Sequence, residues 1–239
     1  MENRKDPALK AGVSPNLMHH TEGVILHTLN FQDYDQILTV FSSDLGVEKF
    51  FVKGSYRPSR KVNAPSLLTH CEFVYRQGRG SFLLCNEFSV LNHYLGVRKD
   101  FITLQAACDL LRLIQHSQLP GKPAPDLYKL LLKYLDGLSH MPNSGLLVAS
   151  FHLKIMRHEG VLHLVDRCQK CCEPLSSLYF SYGECFCSAH SPIGALHFLP
   201  EETNLLYRLA YCRTLKELSS LSFSPELEKK IQLMCVQEG

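Results

Sequence analysis

The stretch Glu22–Lys53 reads EGVILHTLNFQDYDQILTVFSSDLGVEKFFVK. It holds three short runs rich in β-branched and aromatic residues, Glu22–Asn30, Asp35–Ser42 and Gly46–Lys53, with turn chemistry at Asp44-Leu45-Gly46, and this is the signature of strands joined by tight turns. In the third run side chains alternate between faces, so Lys49, Phe51 and Lys53 share one face while Phe50 and Val52 take the other. Thr69–Arg76, Ser81–Cys85 and Glu87–Leu91 continue the pattern, with Gln77-Gly78-Arg79-Gly80 as a turn. About seventy residues of short antiparallel strands are too few for a two-sheet sandwich, and they predict a small closed barrel of the OB-fold type.

After Gly96 the period changes. Ile102, Ala106, Leu110, Leu113 and Ile114 fall on one helical face. Further helices are expected at Asp126–Leu138, started by Pro125 and weakened at its end by Gly137, at Leu146–His158, stopped by Gly160, and at Glu201–Tyr211 and Pro225–Val236. The expected architecture is α+β and multidomain. A flexible extension over residues 1–20 precedes an N-terminal OB-fold β-barrel over 21–95, and an α-helical domain follows over 96–239, carrying an inserted zinc-knuckle module at about 165–192.

That module is read from Cys168, Cys171, Cys187 and His190: C-x2-C, fifteen intervening residues, then C-x2-H. Each knuckle turns two ligands towards one metal, and two knuckles side by side supply the corners of a tetrahedron. Four thiolate or imidazole ligands close the shell and leave no position for water, so the zinc expected here is structural. Five of the ten cysteines crowd between Cys168 and Cys187, which use as small buried hydrophobes would not explain. Cys172 and Cys185 stand as alternative ligands, with Gly183 permitting the turn ahead of Cys187; His152 and His158, just before the module, read as surface or core histidines, with spare ligands as the alternative.

Hydrophobic residues make up 45% of the 239 residues and charged ones 20%, the composition of an ordinary globular chain. No apolar run approaches the roughly 20 residues needed to cross a bilayer. The stretch Met1–His20 lacks the apolar centre of a signal peptide, and a reducing cytoplasm suits free thiols and zinc. The net charge is only +2, but it is segregated: Glu22–Glu48 carries five acids and no Lys or Arg, whereas Lys49–Arg79 carries seven cations against Glu72. Arg57, Arg60 and Lys61, laced with Gly54, Ser55, Pro58 and Ser59, mark an exposed basic loop.

Cations alternating with an aromatic ring suit nucleic acid, because ammonium groups neutralise phosphates while a ring stacks on a base. The expected contact set is Lys49, Phe51, Lys53, Arg57, Arg60, Lys61 and Arg79, binding without reading sequence. Arg76 extends the surface, and Tyr56 is either a stacker or a packing anchor. No catalytic constellation is visible. Asp33 and Asp35 find no third acid at two-metal spacing, and phosphate-loop, H-E-x-x-H and G-x-S-x-G patterns are absent.

Several of these segments together resemble the RecO family of bacterial DNA repair and recombination mediators: Glu22-Gly23-Val24-Ile25-Leu26, Asp35–Phe41, Leu45-Gly46, Lys53-Gly54-Ser55-Tyr56-Arg57, Gly78-Arg79-Gly80, Arg167–Cys171 and Gly183–His190. His190 stands where the family often has a fourth Cys. Family chains begin close to the Glu-Gly strand, which suggests Met18 as the native start. The resemblance implies a non-enzymatic protein that binds single- and double-stranded DNA, anneals complementary strands, and acts with RecR to load recombinase onto strands coated by single-strand binding protein, whose acidic C-terminal tail it engages. A cytoplasmic, nucleoid-associated location follows from that role. An RNA-binding OB-fold protein and a protein-interaction scaffold are the alternatives.

Overall fold

The computed structural model describes residues 17–57, 64–78, 80–221 and 224–236. Five strands make a closed barrel: β1 (His19–Phe31), β2 (Asp35–Ser42), β3 (Gly46–Val52), β4 (His70–Gln77) and β5 (Leu83–Asn92). Their order around the barrel is β1-β2-β3-β5-β4, with β1 closing on β4 and β3 running parallel to β5. This is the OB-fold predicted from the spacing of the strands.

The alternation read in β3 sets the interior. Phe50 and Val52 are buried with Ile25, Leu38, Val40, Phe73 and Tyr75, and Phe50 packs on Phe73 and Tyr75 at ring separations of 5.0 and 5.4 Å. Cys71 and Cys85 are core residues of this interior; burial, then the neighbouring Cys85, pushes the Cys71 thiol up to about 12. The segments expected as two strands, Ser81–Cys85 and Glu87–Leu91, are one strand. The ladder skips Asn86 between Cys85 and Glu87, so a bulge absorbs the residue that reads as a break.

The chain divides into two compact units. One reaches His93 and includes Pro120–Pro123; the other comprises Tyr94–Leu119 and the chain from Ala124. In the first, Gly121 donates its N–H to the Val47 carbonyl at 3.1 Å. Gly46 adopts φ +70°, and a Cβ there would lie 2.0 Å from the Lys122 carbonyl oxygen, so this approach requires glycine.

The second unit is built on α1 (Phe101–Ser117), α2 (Pro125–Leu138), α3 (Ser144–His158), α4 (Pro200–Tyr211), a short α5 (Lys216–Ser219) and α6 (Pro225–Val236). Asp100 and Asn143 cap α1 and α3 by accepting from the N–H groups of Thr103 and Leu146. The buried stripe of α1 is Ala106, Ala107, Leu110, Leu111 and Ile114. Ile102, expected on it, is 68% exposed, because the first turn projects beyond the packed part of the helix, and Leu113 is only half-buried. Helix α3 packs against α1, α2, α4 and α6, and is accordingly buried around most of its circumference.

Its polar Ser150 is satisfied internally, lying 2.8 Å from the Tyr134 hydroxyl and donating to the Leu209 carbonyl at 2.7 Å. The C-terminal end of α4 is met by three cations: Arg157, Lys154 and Lys133 donate to the carbonyls of Ala210, Cys212 and Arg213, where the helix dipole favours positive charge. Gly137 sits within α2, and a Cβ there would meet Leu215 Cδ1 at 2.4 Å; close packing explains a glycine that looks like a weak end in the sequence. Between α3 and α4 lies a small sheet in the order β7-β6-β8, formed by β6 (Leu178–Ser181), β7 (Glu184–Phe186) and β8 (Leu196–Phe198). Neither this sheet nor α5 is foreshadowed by the sequence periodicity, since the elements are three or four residues long.

Candidate nucleic-acid interface and metal centre

The pairing register arranges the outer face of β1-β2-β3 in rows. Leu29, Ile37, Phe51, Leu84 and Arg76 are successive partners across β1, β2, β3, β5 and β4. Another row runs His27, Thr39 and Lys49. Lys53 follows β3 on the other side, so exposed cations stand two residues to either side of Phe51. Phe31 lies edge-on to Phe51, with ring centroids 6.0 Å apart. Leu29, Phe31 and Tyr34 are exposed at this end of the barrel. The sequence reading selected Phe51 and passed over these three; a period-two count carried to the end of β1 puts Leu29 and Phe31 on one face, but only the register places that face beside Phe51.

The start of the basic loop is held by hydrogen bonds. Gly54, at φ +64°, donates its N–H to Asp35 Oδ1 at 2.8 Å, and Arg57 donates its N–H to the Gly54 carbonyl. Tyr56 donates its N–H to the Tyr34 carbonyl at 3.1 Å. Buried Gln36 ties both ends of the loop: its Nε2 donates to the Tyr56 hydroxyl and the Pro65 carbonyl, while its Oε1 accepts from Ser55. Tyr56 is thereby anchored through its hydroxyl with its ring still exposed. Arg57 is exposed and Arg76 half-buried. Arg60, Lys61 and Arg79 lie outside the described residues, as do Pro58 and Ser59.

Cys168, Cys171, Cys187 and His190 converge, with one ligand atom from each within 4.8 Å of all the others. The first knuckle is shaped by Cys172 donating its N–H to the Cys168 carbonyl, and Gln169 links it to the Cys185 carbonyl, both at 2.9 Å. The second closes through the His190 N–H and the Cys187 carbonyl at 3.1 Å. Tyr182 and Gly183, with φ of 45° and 77°, make the turn between β6 and β7 that leads to Cys187. Cys185 takes another course. It is buried with its thiol directed at the His163 carbonyl at 3.6 Å, and burial pushes that thiol up to about 11. Cys172 is exposed.

Burial opposes ionisation of Cys168, but N–H groups of Cys171, Cys187 and Lys170 outweigh it and bring the thiol down to about 5. Cys171 accepts from the Glu173 N–H, which favours its thiolate, yet burial and the adjacent Cys168 and Cys187 sulfurs push it up. A tetrahedral ion with metal–sulfur bonds of about 2.3 Å and metal–nitrogen bonds of about 2.0 Å requires S···S edges of about 3.8 Å and S···N edges of about 3.5 Å. The Cys171 and Cys187 sulfurs are 3.8 Å apart, and His190 Nδ1 lies 3.3 Å from Cys187 Sγ and 3.8 Å from Cys168 Sγ. The donor set and its edges fit a metal ion. Among the described residues, no helix is long and apolar enough to cross a membrane.

The family model described as "Recombination protein O N terminal" matches residues 17–92, and "Recombination protein O C terminal" matches residues 98–237. DNA repair protein RecO of Acetivibrio thermocellus is 30% identical over 168 residues, covering 69% of this chain and 66% of that protein. RecO of Chlamydia trachomatis serovar D is 28% identical over 146 residues, 60% of each chain. RecO of Bacillus cereus strain AH187 is 23% identical over 228 residues, 91% of this chain and 89% of its own. The chain thus spans less than two thirds of the first two relatives and most of the third. With both family models matched in order along the barrel and the helical unit, the chain belongs to the RecO family.

Proposed function

We propose that this protein is a non-enzymatic mediator of DNA repair and homologous recombination. It binds single- and double-stranded DNA through the outer barrel face without sequence specificity, anneals complementary strands, and helps load recombinase onto strands coated by single-strand binding protein. RecR and the acidic tail of single-strand binding protein are its protein partners in this reading, and the bacterial cytoplasm, on the nucleoid, is its place. The observation that carries the proposal is the pattern of that face: Lys49 and Lys53 stand exposed two residues to either side of Phe51 along the β3 segment, and Arg57 follows in a hydrogen-bonded turn. Lys49, Phe51, Lys53 and Arg57, with Arg60, Lys61 and Arg79, are the proposed contacts. The names of the relatives agree with a role in DNA repair.

The ion proposed for Cys168, Cys171, Cys187 and His190 is Zn2+, in a structural role: it would cross-link the two knuckles and supply no open position for chemistry. The deciding experiment is equilibrium binding to labelled single-stranded DNA across a salt series, followed by addition of the complementary strand. Salt-sensitive binding and accelerated annealing are expected. Replacing Lys49, Lys53 and Arg57 by Gln should lower the salt slope by about 0.7 for each phosphate that is no longer neutralised. An unchanged slope would remove these residues from the interface, and tighter binding of an RNA strand in competition would favour an RNA-binding role.

A further inference from the structure

The five thiols between Cys168 and Cys187 differ in access and in neighbours. Cys168 is only 1% exposed. Cys185 is buried, with its thiol held against the His163 carbonyl at 3.6 Å. Cys172 is exposed, but it is the chain neighbour of Cys171, and consecutive Cα atoms about 3.8 Å apart fall short of the roughly 4.4 Å that a disulfide needs. Cys171 and Cys187 are half-buried, belong to opposite knuckles, and have their sulfurs 3.8 Å apart. They are the pair that a small solute can reach and that stands close enough to bond: closing 3.8 Å to an S–S bond of about 2.05 Å moves each sulfur by about 0.9 Å.

We propose that Cys171 and Cys187 are a peroxide-sensitive pair, and that oxidation exchanges the zinc cross-link of the module for a disulfide between the same two knuckles. This rests on the zinc reading of Cys168, Cys171, Cys187 and His190 and adds a regulation to it. One thiolate attacks a peroxide oxygen, the O–O bond breaks, and a sulfenic acid and hydroxide result; the second thiolate then attacks that sulfur, the S–S bond forms and hydroxide leaves. The two sulfurs give up two electrons, and peroxide with two protons becomes two waters. Cys168 and His190 remain as ligands, too few for a closed tetrahedral shell, so the ion is released. A bond within the first knuckle, from Cys168 to Cys171, would leave the knuckles unlinked, whereas the bond from Cys171 to Cys187 joins the two that the ion would join. In a reducing compartment such a bond is transient and redox-sensing, and thiol exchange reverses it.

The test exposes the full-length, zinc-loaded protein to hydrogen peroxide and follows zinc release with a chromogenic chelator, against an untreated control. Free thiols are then alkylated and the chain is cut after Lys, Arg and Glu, which parts Cys168 in fragment 168–170 from Cys171 in 171–184 and Cys187 in 185–201. Zinc should be lost in step with a disulfide that joins the last two fragments through Cys171 and Cys187, with Cys168 recovered alkylated. Dithiothreitol with added zinc should restore the starting state, and Cys172→Ser should alter neither the release nor the bond. The oxidised protein should keep amide-exchange protection across residues 163–198 that chelation under reducing conditions removes. Zinc held through a peroxide dose that oxidises a free-thiol control would overturn the pair, as would release accompanied by a bond through Cys168 or Cys172. Equal loss of protection in oxidised and chelated protein would overturn the exchange of one cross-link for the other. A native protein that holds no zinc and takes none up would overturn the zinc reading itself, and the exchange with it.

Discussion

In the barrel, ten residues drawn from all five strands fill one interior, and the sheet closes on itself so that every strand has a neighbour on both sides. Between His163 and Phe198 the chain has strands of four, three and three residues in an open sheet, with Leu178, Phe180, Cys185 and Phe198 as its small buried layer. The first region encloses an apolar interior supplied by its own strands. The second is too short for that, and the zinc ion proposed for Cys168, Cys171, Cys187 and His190 would cross-link its two knuckles in place of a larger core. Thiol chemistry divides along the same line: Cys71 and Cys85 serve the barrel as apolar filling, whereas Cys168, Cys171 and Cys187 point their sulfurs at one another.

The largest effect should come from removing the proposed zinc ion. Structural zinc contributes about 10 kcal/mol or more to forming such a site, so chelation or Cys168→Ser should abolish amide-exchange protection across residues 163–198 while strands β1–β5 stay protected. Retained protection after verified metal loss would show that the small sheet stands by its own core. Next in size is the reciprocal change. Phe50→Ala removes a fully buried ring and should destabilise the barrel by about 3–5 kcal/mol, seen as a lower denaturant midpoint for β-structure with metal content unaltered. Coupled loss of metal would mean that the two regions fold as one.

A third, smaller effect concerns the helices that adjoin the metal segment in the chain. Burial pulls the His152 imidazole down to about 4, against about 6.5 when unfolded. The folded protein therefore resists a proton that the unfolded chain accepts. Stability from this group is complete above about pH 6.5 and declines as pH falls towards 4, by about 3 kcal/mol in all. His152→Gln should flatten that slope in denaturant titrations followed by helical circular dichroism; an unaltered slope would place the titrating group elsewhere. Smallest is Glu202→Gln. Glu202 accepts from the Leu199 N–H at 2.8 Å and from Lys230 at 2.6 and 2.7 Å, tying the start of α4, just after β8, to α6. Losing this charge should cost about 1 kcal/mol, read as a modest drop in the midpoint of the helical unit with the barrel unaffected.

Elements whose signals are local were legible in the amino-acid order alone. Phe50 and Val52 inward against Lys49, Phe51 and Lys53 outward follows from a two-residue period, and helix starts at Pro125 and Pro225 follow from proline's fixed φ. The convergence of Cys168, Cys171, Cys187 and His190 was legible because a knuckle is a local turn. Features that depend on distant partners emerged only on folding. The bulge at Asn86 merges two expected strands because β4 and β5 pair across it, and the parallel β3–β5 contact closes the barrel. Leu29 and Phe31 meet Phe51 only through the register of three strands. Cys187 and Cys185 are two residues apart and look alike in sequence, yet one turns to His190 and the other to the His163 carbonyl. Local periodicity says which face a side chain takes, and long-range pairing decides what that face meets.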